Sequence, residues 1–431
     1  MNLLNSWIIL RSTQFSLKGG IVVVIRLILL ALVLFNFQAA YSGDEILSGD
    51  CISGMAAGHP CQDVDLGARL DLKTSGIRAA SGNDISGWTD RETGREYALM
   101  GLSSKTAFVD ITDPQNPIHL GDLRTHTNNS LWRDISVYGH YAFIVSEASD
   151  HGMQIFDLHQ LRDVDSSPAV EFEETAHYDQ FGSAHTITIN EDTATAYAVG
   201  SDTCDAGMHV VDVSDPLEPV FLTCVDRSIF TPVMTTSIQH GEDYTHETQC
   251  VIYHGPDERY KGDEVCVCSN ADTVNIVNMT NKAAPVQISV TDYPGLGYTH
   301  QGWLTEDHRF FFLGDELDEI NFGHNTKTLI WDMQDLENPT LMGSYEHATK
   351  SIDHNMYVKG DYLYQANYEA GLRVLDVSDI ENVHEVAFFD TIPDSDQARF
   401  EGAWGVFPFY ESGTVVISNI NGYLFVLRPS L

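Results

Sequence analysis

The sequence predicts an all-β fold built from repeated four-stranded units, and three observations carry this prediction. Almost no long window places apolar residues at the i, i+3, i+4, i+7 spacing of an amphipathic helix. Short runs of Val, Ile, Phe and Tyr are instead interrupted by Gly, Asn, Asp and Pro, as strands are by turns. The third observation is an internal repeat that runs through most of the chain, and a repeat of this kind indicates that the units are copies of one structure.

One phrase recurs six times and predicts a strand, a turn and a second strand. Its copies occupy residues 107–123, 153–161, 208–225, 274–290, 328–345 and 372–389. Several copies turn at an Asp or Asn followed by Pro, because Asx side chains cap the turn and Pro fixes φ at the corner. A predicted hairpin precedes each phrase and a further short strand precedes each hairpin, so each unit contains four strands.

The first strands of the units set both the number of units and their register. They begin, at intervals of 50, 52, 61, 54, 54 and 50 residues, at Asn83, Arg133, His185, His246, His300, His354 and Trp404. Seven four-stranded units of this length predict a seven-bladed β-propeller. The last unit lacks a fourth strand, and residues 64–74 resemble the fourth strand of the first unit. We therefore expect this N-terminal strand to join the last blade and close the ring.

Composition indicates a packed globular protein and argues against a nucleic-acid partner. The 431 residues include 23 Lys+Arg and 62 Asp+Glu, which gives a formal net charge of −39, and 43% are hydrophobic. That apolar content is ample for a packed core. Because so acidic a surface repels phosphate backbones, we expect no nucleic-acid partner.

The N-terminus has the pattern of an export signal. Lys18 and Arg26 precede the apolar run 27–37, which ends in small residues at 39–43. Residues 1–42 are therefore predicted to be a signal peptide with an upstream extension, followed by an N-terminal segment, 43–63, and a single propeller, 64–431. The apolar run is shorter than the roughly 20 residues of a membrane span, although adding residues 21–25 leaves an uncleaved anchor open. The expected product is a secreted or periplasmic monomer without a stable span after cleavage.

Seven cysteines follow the predicted cleavage site, so an oxidising compartment should leave one thiol unpaired. Cys51 and Cys61 are close enough in sequence to form a local disulfide. Cys250 lies on a strand adjacent to that of Cys266 and Cys268 and can pair with only one of them. A further candidate pair, which requires a loop to fold back, is Cys204 and Cys224.

Several phrases resemble a known family. The text VDITDPQNP, VDVSDPLEP and LDVSD resembles the LVIVD repeat, and residues 51–61, 87–114, 298–319 and 353–379 resemble the secreted choice-of-anchor B family. The resemblance covers nearly all of 51–428 and implies an exported propeller without supplying an activity. Members of that family carry varied C-terminal anchors, whereas this sequence stops at Leu431, so free secretion or periplasmic residence is expected rather than attachment.

Equivalent positions on the inner strands should converge around the propeller axis. Four successive units offer His185, His246, His300 and His354 at one such position. The other polar or aromatic candidates for this channel mouth are Arg133, Asp134, Glu147, Asp202, Glu247, Asp315, Asn367 and Trp404. Imidazoles and carboxylates together suit one divalent metal ion or a polar ligand.

Two functional hypotheses follow. The first is a binding module that holds a small molecule, a glycan or a protein at the channel mouth, and the lack of a catalytic motif favours it. The alternative is a metal-dependent enzyme, of oxidoreductase or polysaccharide lyase type, with a four-histidine site on the axis. Under a purely structural alternative, the histidines donate hydrogen bonds to carbonyls of the neighbouring blades.

One acidic segment stands apart from the inner strands. Residues 315–319, DELDE, are acidic enough for Ca²⁺ but lack the alternating Asp and the Gly of a calcium loop. The sequence therefore favours a solvated loop over a calcium site.

Overall fold

Seven antiparallel sheets follow one another along the chain in the computed structural model, which describes residues 47–73, 81–164, 169–226, 229 and 244–431. Each sheet is a blade, and the four strands of blades 1 to 6 run in chain order from the axis outward. Each inner strand packs against the inner strand of the next blade, and the seventh packs against the first. The all-β, seven-bladed prediction is confirmed.

The strands of each blade, from inner to outer, are as follows. Blade 1 contains Gly82–Asp90, Arg95–Leu102, Lys105–Asp110 and Ile118–Arg124, and blade 2 contains Arg133–Tyr138, Tyr141–Ser146, Met153–Asp157 and Ala176–Tyr178. Blade 3 contains Thr186–Asn190, Thr195–Val199, Met208–Asp212 and Val220–Val225, and blade 4 contains Glu247–Ile252, Glu264–Ser269, Val274–Asn278 and Val286–Thr291. Blade 5 contains Thr299–Leu304, Phe310–Asp315, Lys327–Asp332 and Thr340–Glu346, and blade 6 contains Asn355–Lys359, Tyr362–Asn367, Gly371–Asp376 and His384–Phe389.

Blade 7 closes the ring with strands from both ends of the described chain. Its inner three strands are Ala403–Phe407, Val415–Asn419 and Tyr423–Pro429, and its outer strand is Val64–Asp71. Tyr423 lies opposite Asp71 and Pro429 opposite Val64, so the predicted closure is confirmed. Gly67 in the closing strand passes so close to blade 1 that a Cβ there would lie 2.6 Å from the carbonyl oxygen of Pro114.

Short elements extend the blades. Leu47–Gly49 pairs with the closing strand, and Met55–Ala56 forms a hairpin with His59–Gln62, which pairs with the outer strand of blade 6. Val170–Phe172 leaves blade 2 and pairs in parallel with the outer strand of blade 1. The helical segments among the described residues are the 3₁₀ turns Leu158–Asp163 and Cys204–Ala206 and the α-helix Asp318–Phe322.

The hydrophobic core is divided into seven clusters, one between each pair of neighbouring blades. In the cluster between blades 6 and 7, for example, Leu66 of the closing strand packs with Phe389 and Phe425. Within the described ranges, no helix is long and apolar enough to cross a membrane. The predicted signal peptide, residues 1–42, lies outside the described residues.

Three disulfides join the described cysteines. The predicted Cys51–Cys61 bond is present, and register selects Cys266 as the partner of Cys250, because these two residues are directly opposed. Cys204 bonds Cys224, since the 3₁₀ turn at Cys204–Ala206, with φ positive at all three residues, folds the chain back. Cys268 is the buried free thiol, which agrees with the odd number of cysteines.

Replacing both Cys250 and Cys266 by Ala should lower the free energy of unfolding by about 2–4 kcal/mol, because the disulfide shortens the loop available to the unfolded chain. Urea unfolding of the oxidised protein measures the loss. Cys268→Ala, on the same strand, is the matched control and should cost less than about 1.5 kcal/mol. A double variant no less stable than the control would show that this disulfide does not form.

Candidate functional site

The four predicted histidines form a continuous arc at one end of the central channel. Ring centroids are 4.2 Å apart for His185 and His246, 4.3 Å for His246 and His300, and 4.3 Å for His300 and His354. Trp404 continues the arc, 4.8 Å from His354. The inner-strand register therefore brings these five side chains together around the axis.

Most of these histidines are held by their Nδ1 atoms. His246 donates from Nδ1 to the carbonyl oxygen of His300 at 3.3 Å, and His354 donates to that of Trp404 at 2.5 Å. In the same arc, Nδ1 of His185 lies 2.6 Å from Oε1 of Glu147. A neutral imidazole that donates through Nδ1 keeps its lone pair at Nε2. The contacts between blades therefore leave Nε2 available to a ligand.

A carboxylate that sequence reasoning missed lies beside two of these Nε2 atoms. Glu316 places Oε2 3.7 Å from Nε2 of His300 and Oε1 3.5 Å from Nε2 of His354. The hydroxyl of Tyr368 donates to the same Oε1 at 2.7 Å. His246, His300 and Glu316 each offer one ligand atom, and these three atoms lie within 4.8 Å of one another.

Burial favours the neutral form of three of these imidazoles, those of His246, His300 and His354. It lowers the pKa of His354 to about 3 and, together with the neighbouring imidazoles, lowers the pKa values of His246 and His300 well below the ordinary range. Burial also raises the pKa of Glu316 to about 7. Neutral histidines are the form that binds metal ions, and a nearby cation would favour the ionised form of Glu316.

Asp315 and Asn367, which the sequence predicted at the channel mouth, do not reach the histidines, whereas the residue after each of them does. Asp315 accepts hydrogen bonds from the backbone N–H groups of Gly297 and Tyr298, so its carboxylate organises a loop. Asn367 is fully buried and its side-chain amide has no hydrogen-bond partner. The residues that follow them, Glu316 and Tyr368, reach the histidines. Glu147 also directly follows the second strand of its blade, and this shared position was the signal available in the sequence.

Two other predicted residues do not contact the histidines through their charged groups. Arg133 borders a small cavity that the four histidines line. Its Nε donates to the carbonyl oxygen of Leu102, and its Nη1 lies 3.2 Å from Nε2 of His151. Asp202 is exposed and accepts from the backbone N–H of Gly182, beside a separate hollow. Both side chains therefore serve contacts elsewhere.

The space enclosed by the histidines is small. The cavity that they line with Asp134, Glu247 and Trp404 measures about 10 Å³. That is room for one ion or one water molecule and not for a sugar ring. An organic ligand therefore does not fit inside the histidine arc.

The opposite end of the channel is wide. Its cavity measures about 830 Å³, and seven carboxylates and two guanidinium groups line it together with aromatic rings that include Trp88, Trp303 and Tyr357. Asp134 and Glu247 line both cavities. The charge balance suits a neutral or cationic ligand and disfavours an anion.

Some of the carboxylates between the two cavities also join neighbouring blades. Asp84 accepts from the backbone N–H of Ile135 at 3.2 Å, and Asp134 accepts from that of Ile187 at 2.7 Å. Burial raises the pKa of Asp134 to about 6. These two carboxylates therefore have a structural role whatever the channel binds.

Comparison with known proteins identifies the repeat. A family model described as the LVIVD repeat matches residues 132–158, 202–226 and 354–391. The chain contains LVIVD repeats. The matched LVIVD stretches fall within blades 2, 3 and 6, and the last includes all four strands of its blade.

Two further comparisons concern curated proteins and solved structures. No curated protein matches the chain. One similar solved structure is the β-propeller domain of Myceliophteria thermophila Cps50 (Swd1), which is 12% identical over 83% of this chain and 98% of that chain, with a TM-score of 0.49.

Proposed function

We propose that the protein is a binding module whose channel holds one divalent transition-metal ion at the histidine end. The observation that carries this proposal is the pair of distances, 3.5 and 3.7 Å, from the Nε2 atoms of His354 and His300 to the carboxylate of Glu316. They are longer than good hydrogen bonds of 2.7–3.2 Å. Two ligands bound tetrahedrally to one zinc ion, each at about 2.1 Å, lie roughly 3.4 Å apart.

The donor set fits such an ion. His246, His300 and Glu316 have ligand atoms within 4.8 Å of one another, and His354 lies 3.5 Å from the same carboxylate. Borderline ions such as Zn²⁺ and Fe²⁺ favour this combination of imidazole nitrogens with one carboxylate. The carbonyl contacts at Nδ1 orient His246 and His354, and the hydroxyl of Tyr368 orients Glu316, in the way that outer hydrogen bonds do at metal sites.

Metal-dependent catalysis, of oxidoreductase or polysaccharide lyase type, is the second candidate. The observation that favours it is the shared layer of Asp134 and Glu247, which lines both the small and the wide cavity. An organic ligand in the wide cavity would lie one layer of side chains from the ion. The channel would then join a metal site to a ligand site.

We further propose that the protein is exported and related to the choice-of-anchor B proteins. The three disulfides support an oxidising compartment. The phrases at residues 51–61, 87–114, 298–319 and 353–379 support the relationship. An exported binding module is compatible with the strongly acidic composition.

Removing one ligand should weaken metal binding. We expect the wild-type protein to bind one equivalent of Zn²⁺ by calorimetric titration, and His300→Ala to weaken binding at least about 100-fold because the ion loses a ligand. Glu316→Gln should weaken it similarly. His384→Ala, which changes an exposed histidine, is the control and should bind as the wild type does.

The free energy of unfolding of His300→Ala distinguishes a metal-binding role from a purely structural role in hydrogen bonding between blades. Without metal, His300→Ala should remain within about 1–2 kcal/mol of the wild type. Unchanged zinc binding by His300→Ala, or a wild type that binds no Zn²⁺ and contains no transition metal when purified, would contradict the proposal. A large stability loss with unchanged zinc affinity would assign the histidines to ring packing.

A further inference from the structure

A second group of carboxylates lies between blades 5 and 6, outside the histidine arc. Asp318 and Glu319 begin the short helix Asp318–Phe322 that follows the second strand of blade 5, and Asp353 precedes the inner strand of blade 6. Their exposed fractions are 4%, 2% and 0%. The expectation of a solvated loop at residues 315–319 is therefore wrong, because the segment folds inward against blade 6.

Five buried oxygens of these carboxylates lack a hydrogen-bond partner. Oδ1 of Asp318, both oxygens of Glu319 and both oxygens of Asp353 are buried without one. Ionised oxygens removed from water in this way are costly unless a cation or donors replace the water. Such a set therefore indicates a missing positive charge.

Two members of the group lie together on the short helix, and the third faces the end of the strand that precedes it. A Cβ at Gly314 would lie 2.5 Å from Oδ2 of Asp353, so this carboxylate faces the strand end from which the acidic segment continues. Asp318, Glu319 and His324 each offer one ligand atom, and these atoms lie within 4.8 Å of one another. Burial, followed by repulsion from Asp353, raises the pKa of Glu319.

The neighbouring positive groups do not neutralise the cluster. Nε2 of His324 lies 3.6 Å from Oδ2 of Asp318, beyond hydrogen-bond distance, and Lys327 affects the pKa of Asp318 less than burial and repulsion from Asp315 do. Asp315, although adjacent, is already saturated by backbone N–H groups and the hydroxyl of Tyr293. Three buried carboxylates therefore lie at the junction of blades 5 and 6 with a deficit of positive charge.

We propose that Asp318, Glu319 and Asp353 bind a calcium ion that joins blade 5 to blade 6. Hard oxygen donors select Ca²⁺ or Mg²⁺ over transition metals. Ca²⁺ accepts six to eight oxygens in irregular arrangements and binds carboxylates in mono- or bidentate fashion, whereas Mg²⁺ requires a near-octahedral set and gives up its waters reluctantly. Carboxylates from two separate segments match the flexible demand of Ca²⁺.

The test uses Ca²⁺ itself on the full chain purified in EGTA. We expect one calcium per chain and a melting temperature that rises by several degrees at millimolar Ca²⁺, because the ion binds the folded state alone. Asp353→Asn should bind Ca²⁺ at least about 100-fold more weakly and lose the shift. In EGTA the same variant should melt no lower than the wild type, because it removes an uncompensated buried charge.

Two controls make the result specific. Glu346→Gln removes an exposed carboxylate from the outer strand of blade 5 and should keep the calcium shift. His300→Ala should keep it too, which separates this site from the proposed transition-metal site. If calcium stays bound during purification in EGTA, the calcium content should be one equivalent in the wild type and none in Asp353→Asn. The proposal is overturned if Asp353→Asn retains the shift in melting temperature or if Mg²⁺ at the same concentration reproduces it. It is also overturned if the wild type neither contains calcium nor responds to it.

Discussion

Leu66→Asp should cost about 4–5 kcal/mol of unfolding free energy, a large share of the stability of the ring. Leu66 is fully buried in the closing strand and packs in the cluster between blades 6 and 7. The substitution loses about 2–3 kcal/mol of apolar burial and places a carboxyl where water cannot reach it. Urea unfolding followed by circular dichroism measures the loss, and limited proteolysis should cut the variant in blade 7 first.

The matched control is the same substitution on the outer strand of an ordinary blade. Leu222 occupies the outer strand of blade 3 and is 37% exposed. Leu222→Asp should change stability by less than about 1 kcal/mol, since the new carboxylate stays hydrated. If Leu66→Asp is as stable as Leu222→Asp, the closing strand contributes little and the ring is held elsewhere.

The number and order of blades could be predicted because the repeat is carried by strand alternation and turn residues, which are local. The order of the strands in blade 2 could not be predicted in this way. Its third strand is followed by Val170–Phe172, which pairs in parallel with blade 1, before Ala176–Tyr178 completes the blade. Both segments are three residues long with a polar residue in the middle. Which neighbour each joins depends on tertiary contacts that the repeat does not encode.

The histidine arc could be predicted because symmetry maps equivalent inner-strand positions onto one circle. The carboxylates at the ends of the second strands could be predicted only in part. Glu147 was chosen and contacts His185, whereas Glu316 was missed because side-chain direction depends on the local register. In blade 5 the pairing shifts between Thr299 and Gln301, at His300 itself, and the residue that reaches the arc is Glu316 rather than Asp315. The burial of Glu319 was equally hidden, because a short acidic run has the composition of a solvated loop.

Below pH 6.5, His347 should contribute a loss of stability that grows as the pH falls. Burial, followed by repulsion from Arg373, lowers the pKa of His347 to about 3, and burial likewise lowers that of His151 to about 3. The unfolded chain, with a histidine pKa near 6.5, therefore binds protons that the folded state does not. The stability is present above pH 6.5 and is lost as the pH falls toward 3, at about 1.4 kcal/mol per pH unit for each histidine.

Comparing variants isolates this effect from the carboxylates that titrate in the same range. Urea unfolding of His347→Gln between pH 6.5 and 4.5 should show a slope smaller than that of the wild type by about 1.4 kcal/mol per pH unit, whatever the substitution costs at neutral pH. His384→Gln, an exposed site, should leave the slope unchanged. Equal slopes for His347→Gln and the wild type would mean that His347 takes up its proton in the folded state, with Glu385, 4.0 Å from its Nδ1, as the partner of the imidazolium.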